Sequence, residues 1–425
     1  MTATATTDSV VRFRPMHTQI SDDDPDLFVV GRPEVGEFIE VPGVGMAAIR
    51  RLDAGHRIRD VEEWLAEKHD AEVDLSEFVD DLIDVGFVAS IDGENIPDPY
   101  PKLRPHLPWL TASNTGWLFG KIAKAAYAVL ILATVVTLFQ RPDLVPGYRD
   151  FWWGDYIGLC VLVNTVLFSL AVTLHELSHL VAARSLGAPA RISFATRLHH
   201  LVVQTDVTAV WAVPRRQRYR VYLSGLLCDL ALVCGAILVN AYARPGALVE
   251  RLLAALAVTV VMSMALQAHV YMRTDLYFVL LDLLRCRNLF HDGLAYARHL
   301  ARRSGHRLLP RVVGAPGIDP TADFSARERR AVRLYAVAVV VGSTVALAGF
   351  IAYGLPIVVH GVLAAARAMG GGGLLATVDA GLLILVEGAL QVLFLVTFHR
   401  RHRHRLPRLL GGRRPAPTGA VSGAG

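Results

Sequence analysis

The sequence predicts a mainly α protein: a polytopic membrane helix bundle of about six transmembrane helices, preceded by a small α+β domain of winged-helix type. Three observations predict it. Of the 425 residues 53% are hydrophobic, and the mean hydropathy of +0.39 lies above the range of soluble globular chains. The apolar residues gather in six stretches, each long enough to supply the roughly 20 helical residues that cross a hydrocarbon core of about 30 Å. The first hundred residues hold no such stretch and are too polar for a signal peptide, so insertion is expected to rest on internal spans.

Residues 1–105 read as a separate soluble unit. "DLFVVGRPEVGEFIEV" alternates apolar and polar residues on both sides of Gly31, Arg32, Pro33 and Gly36, which is a hairpin signal. Two amphipathic helices follow, "GVGMAAIRRLD" and "IRDVEEWLAEKH". A third is expected to start at Asp74, where Asp74 and Glu77 have capping-box spacing ahead of Phe78, Leu82 and Ile83. "GFVAS" closes the unit as a strand, and the proline-rich "NIPDPYPKLRPHLPW" leads into a linker over 106–120.

Within a membrane part over 121–400, spans are expected near Ile122–Phe139, Tyr156–Leu186, Tyr222–Tyr242, Leu252–Met272, Leu334–Val358 and Leu374–Phe398. Arginine then sets their orientation, because positive charge stays on the cytoplasmic side. The segments after the second and fourth spans are rich in arginine, from Arg184 to Arg220 and from Arg273 to Arg307, as is the tail "HRRHRHRLPRLLGGRR". The loops at 140–155, 243–251 and 359–373 hold two, two and one. Both termini are therefore expected in the cytoplasm. The glycine run at 370–373 reads as a flexible outer loop, and the tail 401–425 as a disordered, basic, headgroup-facing patch. Only four lysines accompany the net charge of +5, so that charge says little about nucleic acid. Cys160, Cys228, Cys234 and Cys286 show no C-x-x-C spacing, which argues against a thiolate metal site or a disulfide framework.

The second span carries the chemistry. In "AVTLHELSHLVAAR" His175 and His179 stand four residues apart, which on a helix turns both rings to one face. Zinc suits such a pair: two imidazoles and one carboxylate leave a fourth position for water. Glu176 lies about 100° around the helix from His175, placed to serve as general base. Ionisable groups inside a membrane helix are costly, which makes them functional candidates by default. The third ligand is selected by depth. His175 lies about 27 Å along the second span and Asp275 about 35 Å along the fourth, which runs the same way. Asp275 is thus an acidic residue at a similar level; His269, Asp282 and the pair His199 and His200 are its rivals. His269 reads otherwise as a hydrogen-bonded interior histidine, and Asp282 as a residue supporting the ligands or a cap. Glu387 and Asp379 in the last span have no identifiable partner in sequence.

At these residues the chain resembles the site-2-protease-like M50 membrane zinc metallopeptidases, in particular their peptide zinc metalloprotease branch. The resemblance covers roughly 155–290 and rests on "HELSH", "VVQTDVTAVWAVPRRQRYRVYLSGLLCDLAL" and "RTDLYFVLLDLLRCRNL". It implies His175, His179 and Asp275 as ligands of Zn2+ and Glu176 as the base, in a bacterial cytoplasmic membrane. Family members often have Gly-Pro-x-x-Asn where this chain has Gly225 to Asp229. An ionised carboxylate donates no hydrogen bond, so the resemblance does not carry a transition-state-stabilising role onto Asp229. The N-terminal unit resembles PqqD-like recognition domains through "GEFIEVPGVGMAAIRRLDAG" and "DLSEFVDDLIDVGFV". That implies a precursor peptide as partner, its leader added as a strand to a sheet edge. "SDDDPD" and the acidic third helix argue against nucleic acid, since phosphate contacts need a basic face.

The expected reaction is hydrolysis of a peptide bond, most simply removal of the leader from a ribosomally made precursor. Two alternatives stand beside it: regulated cleavage of a membrane-anchored signalling protein, and a non-catalytic membrane protein that binds or exports a peptide. "RISFATRLHHLVVQTDVTAVW" has strand-like content and reads either as a hairpin offering an edge to an extended substrate or as a loop folded back on the helices. Oligomeric state is not legible.

Overall fold

The computed structural model describes residues 5–402 apart from 22–23, 70–72, 101–103, 198–199, 287, 312–313, 316, 323 and 372. The tail beyond 402, with its basic run, lies outside the described residues, as does His199. The chain is mostly helical with a small strand region at its N-terminus.

That region holds β1 (Val11–Phe13), β2 (His17–Ile20), β3 (Leu27–Arg32), β4 (Glu37–Pro42), α1 (Gly43–Asp53), α2 (Ile58–His69), α3 (Leu75–Asp84), β5 (Val88–Ile91) and β6 (Glu94–Asn95). The expected hairpin is β3 and β4, antiparallel with Val30 opposite Ile39, and Gly36 takes a positive φ of 81° in its turn. β2 joins the other edge of β3, while β1, β5 and β6 form a second small sheet. Neither β1, β2 nor β6 was expected; each is a short strand whose partners only the folded chain supplies. Asp74 caps α3 by accepting from Ser76 N and Glu77 N. Val30, Val41, Leu52, Ile58, Val61, Leu65, Val79 and Phe87 form one core beneath the sheets and helices.

After α4 (Ala112–Thr115) come α5 (Lys121–Gln140) and α6 (Ile157–Arg184), then a hairpin of β7 (Arg191–Arg197) and β8 (His200–Asp206). α7 (Arg215–Tyr222) and α8 (Ser224–Leu238) follow, then α9 (Ala247–Leu266), α10 (Asp275–Leu284), α11 (Leu289–Leu308), α12 (Ala326–Gly349), α13 (Leu355–Gly371) and α14 (Leu374–His402). Among the described residues six helical stretches are long and apolar enough to cross a membrane: Ala112–Gln140, Ile157–Arg184, Arg215–Ala243, Ala247–Leu266, Ala326–Ala352 and Leu374–Arg400. Ile122, Phe139, Leu334 and Leu374 stand more than 70% exposed on these helices, which a lipid environment accepts and water does not.

Two expectations about the spans need correction. The fourth does not run on to Met272. It stops at Leu266, passes through a 3-10 turn at Val270–Met272 and a left-handed Arg273 (φ 59°), and restarts as α10. Gln267 stabilises the break, its side-chain oxygen accepting from Asp275 N at 3.1 Å and its carbonyl from Thr274 Oγ1 at 2.6 Å. The segment 359–373 is not an outer loop: α13 covers it up to Gly371, and Gly370 and Gly371 end the helix. In an apolar medium the helix satisfies its own backbone, which outweighs the cost of about 1 kcal/mol per glycine. α12 and α13 abut through a π-helical turn at Phe350–Gly354, just ahead of Pro356, whose missing N–H breaks the regular ladder.

α6 sits at the centre. It packs on α8 and α9 through small residues, Ala171, Ala236 and Ala257 among them, which let helices approach closely. At its start Gly158 meets the backbone of Asp379, and the Asp379 carboxylate accepts from Leu159 N at 2.8 Å, capping α6 from α14. That gives Asp379 the partner the sequence does not reveal. The N-terminal unit contacts the same molecule through β2, β3 and β4, which meet the 3-10 turn Thr208–Ala212 that follows β8.

Candidate metal centre

Three ligand atoms converge where α6, α8 and α10 meet. His175 Nε2 lies 2.9 Å and His179 Nε2 3.1 Å from Asp275 Oδ2, and the two Nε2 atoms are 3.2 Å apart. In a tetrahedral zinc site with bonds of about 2.0–2.1 Å, ligand atoms stand about 3.3 Å apart, close to these separations.

The opposite ring nitrogens decide what the group can do. His175 Nδ1 is 2.9 Å from Asp229 Oδ2, and His179 Nδ1 is 2.7 Å from the Val221 carbonyl. Both partners are acceptors, so each Nδ1 carries its proton toward them and each neutral ring turns a lone pair at Nε2 toward Asp275. With the rings in that tautomer, three acceptors face one point. A cation resolves that conflict, and a divalent ion with N and O ligands fits the donor set. Gly225 leaves the room: a Cβ there would overlap both imidazoles, so α8 passes this close only because position 225 is glycine. Ser224 Oγ, beside it, lies 3.2 Å from His179 Nδ1 and donates to the Val221 carbonyl.

Glu176 is buried beside His175 on α6. Thr205 of β8 donates through one hydroxyl to the Glu176 carbonyl at 2.9 Å and to its Oε2 at 2.7 Å. The hairpin, fully paired from Arg191 opposite Asp206 to Arg197 opposite His200, therefore packs on α6 at the glutamate as well as against α14. Its two strands pair with no third strand among the described residues. Asp275 is the most open of the group, its side chain 20% exposed.

Of the other candidates only Asp229 touches the group. His269 is half-buried, bonded to the Leu266 carbonyl and set against Tyr271. Asp282 is buried and paired with Arg218 of α7. His200 opens β8. Asp229 sits behind His175 and fixes its ring. Glu387 is half-buried on α14. Sequence reasoning passed over Thr205, Gln267, Gly225 and Ser224. Only Gly225 carried a signal, as the first residue of the stretch matching Gly-Pro-x-x-Asn; the others act through partners 8 to 45 residues away.

Compared with protein-family models, curated proteins and solved structures, the chain matches none.

Proposed function

We propose that the chain is a membrane-embedded zinc metalloendopeptidase of the M50 type that removes the leader of a ribosomally made precursor peptide. The observation that carries this reading is the convergence of His175 Nε2, His179 Nε2 and Asp275 Oδ2 within 3.2 Å of one another, next to Glu176 on the same helix as the histidines. A zinc ion held by these three would supply a Lewis acid for the scissile carbonyl and an acidified water.

The chain's own residues do the rest. Glu176 accepts the proton of the water and later hands it to the leaving amine, while Thr205 holds its Oε2 and fixes the carboxylate's direction. Asp229 and the Val221 carbonyl hold the two rings in the tautomer that leaves Nε2 free. In this reading both termini lie in the cytoplasm, and water reaches the site from that side. The N-terminal unit is a PqqD-like winged-helix domain, and the leader lies along the edge of β4 opposite β3. Support comes from a groove of about 370 Å³ between β4 and α3, lined by Ile39, Val41, Phe78, Leu82, Asp81 and Asp84. An extended peptide there would gain main-chain bonds from β4 and apolar pockets for alternate side chains.

The test uses the purified full chain in detergent, with metal analysis and with precursor peptides encoded beside its gene. The expected results are one zinc per chain and cleavage that chelator and Glu176→Gln abolish. Cleavage surviving Glu176→Gln, or active protein without a transition metal, would reject the reading. Cleavage confined to a membrane-anchored protein would replace the peptide substrate with a signalling one, and binding without cleavage would make the chain a carrier.

A further inference from the structure

Arg218 has no part in the chemistry above, yet it is a buried arginine, 3% exposed, at the junction of three elements. Its Nε donates to the Val213 carbonyl at 2.7 Å and its Nη2 to the Trp211 carbonyl at 3.2 Å. The guanidinium lies 4.6 Å from the centre of the Trp211 ring, and Nη1 faces Asp282 Oδ1 at 3.5 Å. The Trp211 carbonyl receives a second donor, Gln19 Nε2 of β2, at 3.0 Å. Gln19 belongs to the N-terminal unit and lies 192 residues away in the chain.

Each arm leads to the metal group. Asp282 stands on α10 seven residues after Asp275, two turns along the same face, so a shift of Asp282 moves the carboxylate at the helix start. Val221 is three residues after Arg218 on α7, and its carbonyl holds His179. Trp211 lies in the turn on which β2, β3 and β4 rest. Lysine could not replace this geometry, because only a planar fork reaches two carbonyls and a carboxylate while stacking on a ring.

We propose that Arg218 is a positioning residue that couples docking of the N-terminal unit, through Gln19 and the Trp211 carbonyl, to the placement of α10 and hence of Asp275. Its link to metal rests on the function proposed above; the mechanical coupling does not. Withdrawing the N-terminal unit removes one donor from the Trp211 carbonyl, frees the turn beneath Arg218 and loosens the ion pair that holds α10. A site aligned only when the N-terminal unit is seated would cut only what that unit has delivered.

Hydrogen exchange on the full chain in detergent tests the coupling without reference to metal. Gln19→Asp puts an acceptor against the Trp211 carbonyl, so the contact cannot form. It should speed exchange of the amides of Asp275–Leu284 at least threefold, although it lies far from them in sequence. Arg218→Gln should speed it more, and the double variant no more than Arg218→Gln alone. Arg218→Lys should remain intermediate; it and Gln19→Asp decide the matter if Arg218→Gln does not fold. Unchanged exchange in α10 on Gln19→Asp, or effects that add in the double variant, would overturn the proposal. Cobalt affinity, measured on the same proteins, should fall in the same order. If the unaltered chain binds no metal, the proposed function fails while the exchange result still decides the coupling.

Discussion

Two buried polar networks in this chain, one in the N-terminal unit and one in the membrane bundle, are built on opposite terms. Arg32, 1% exposed, gives Nε to Glu34 at 3.0 Å, Nη1 to the Gly86 carbonyl at 2.6 Å and to Asp98 at 3.1 Å, and Nη2 to Asp98 at 2.6 Å. Donors there meet acceptors, and the network closes on itself, tying the proline-rich stretch after β6 back to β3 and to the turn between α3 and β5. In the bundle, His175, His179 and Asp275 gather three groups that could hold a metal ion. A closed network stabilises a fold; ligand-type atoms gathered on one point are the arrangement a cation would bind.

The contrast can be broken at several points. The largest effect is expected at Glu176→Gln: peptide hydrolysis should fall by roughly 10²–10⁴-fold, the range for losing a general base, with zinc content unchanged in elemental analysis. Gly225→Ala should come next, placing a methyl against both rings, and zinc stoichiometry should drop while circular dichroism keeps the helical signal. Asp229→Asn removes the acceptor that fixes His175 and should cost about 10–100-fold in metal affinity, read by competition with a chromophoric chelator.

The closed network should answer differently. Arg32→Met should destabilise the N-terminal unit by about 1–3 kcal/mol, less than for a fully buried pair because Asp98 is 26% exposed, and should leave metal affinity untouched. Its pH dependence follows from Asp98, whose carboxyl the Arg32 hydrogen bond holds down at about 2. A depressed carboxyl adds stability above its unfolded value of about 3.9 and loses it as pH falls toward 2. Asp98→Asn should therefore be less stable than the native chain at pH 6 and show a flatter decline below pH 4 in acid unfolding followed by tryptophan fluorescence. The smallest effect is expected at Thr205→Val: a several-fold loss of kcat with KM and metal content little changed, since one hydrogen bond of about 1 kcal/mol orients Glu176.

The parts of the site that could be read in the chain are those whose partners lie within one helical turn or whose cost in a membrane demands an explanation. His175, Glu176 and His179 declare themselves by spacing in an apolar helix, and Asp275 by being an acid at a matching level. The helix expected to carry Asp275 continuously breaks at Leu266, and the turn and α10 that follow bring Asp275 beside His175 and His179. The residues that hold the ligands left no such trace. Asp229 looked like a replaced asparagine and is the partner of His175; Thr205 looked like one β-branched residue among valines and holds Glu176. Asp379 looked unpartnered until α14 was laid beside α6.

By itself the sequence determined that helices long and apolar enough to cross a membrane would form, that a small mixed unit would precede them, and that two imidazoles would share one helix face with a carboxylate beside them. Hydrophobic length and helical period settle these, and both are local. Tertiary structure alone decided which acceptors orient the two rings, and how the N-terminal unit meets the turn Thr208–Ala212, where Gln19 and Arg218 share the Trp211 carbonyl. Those contacts join residues as many as 192 positions apart, and a hydrogen bond at that range leaves no period in the chain.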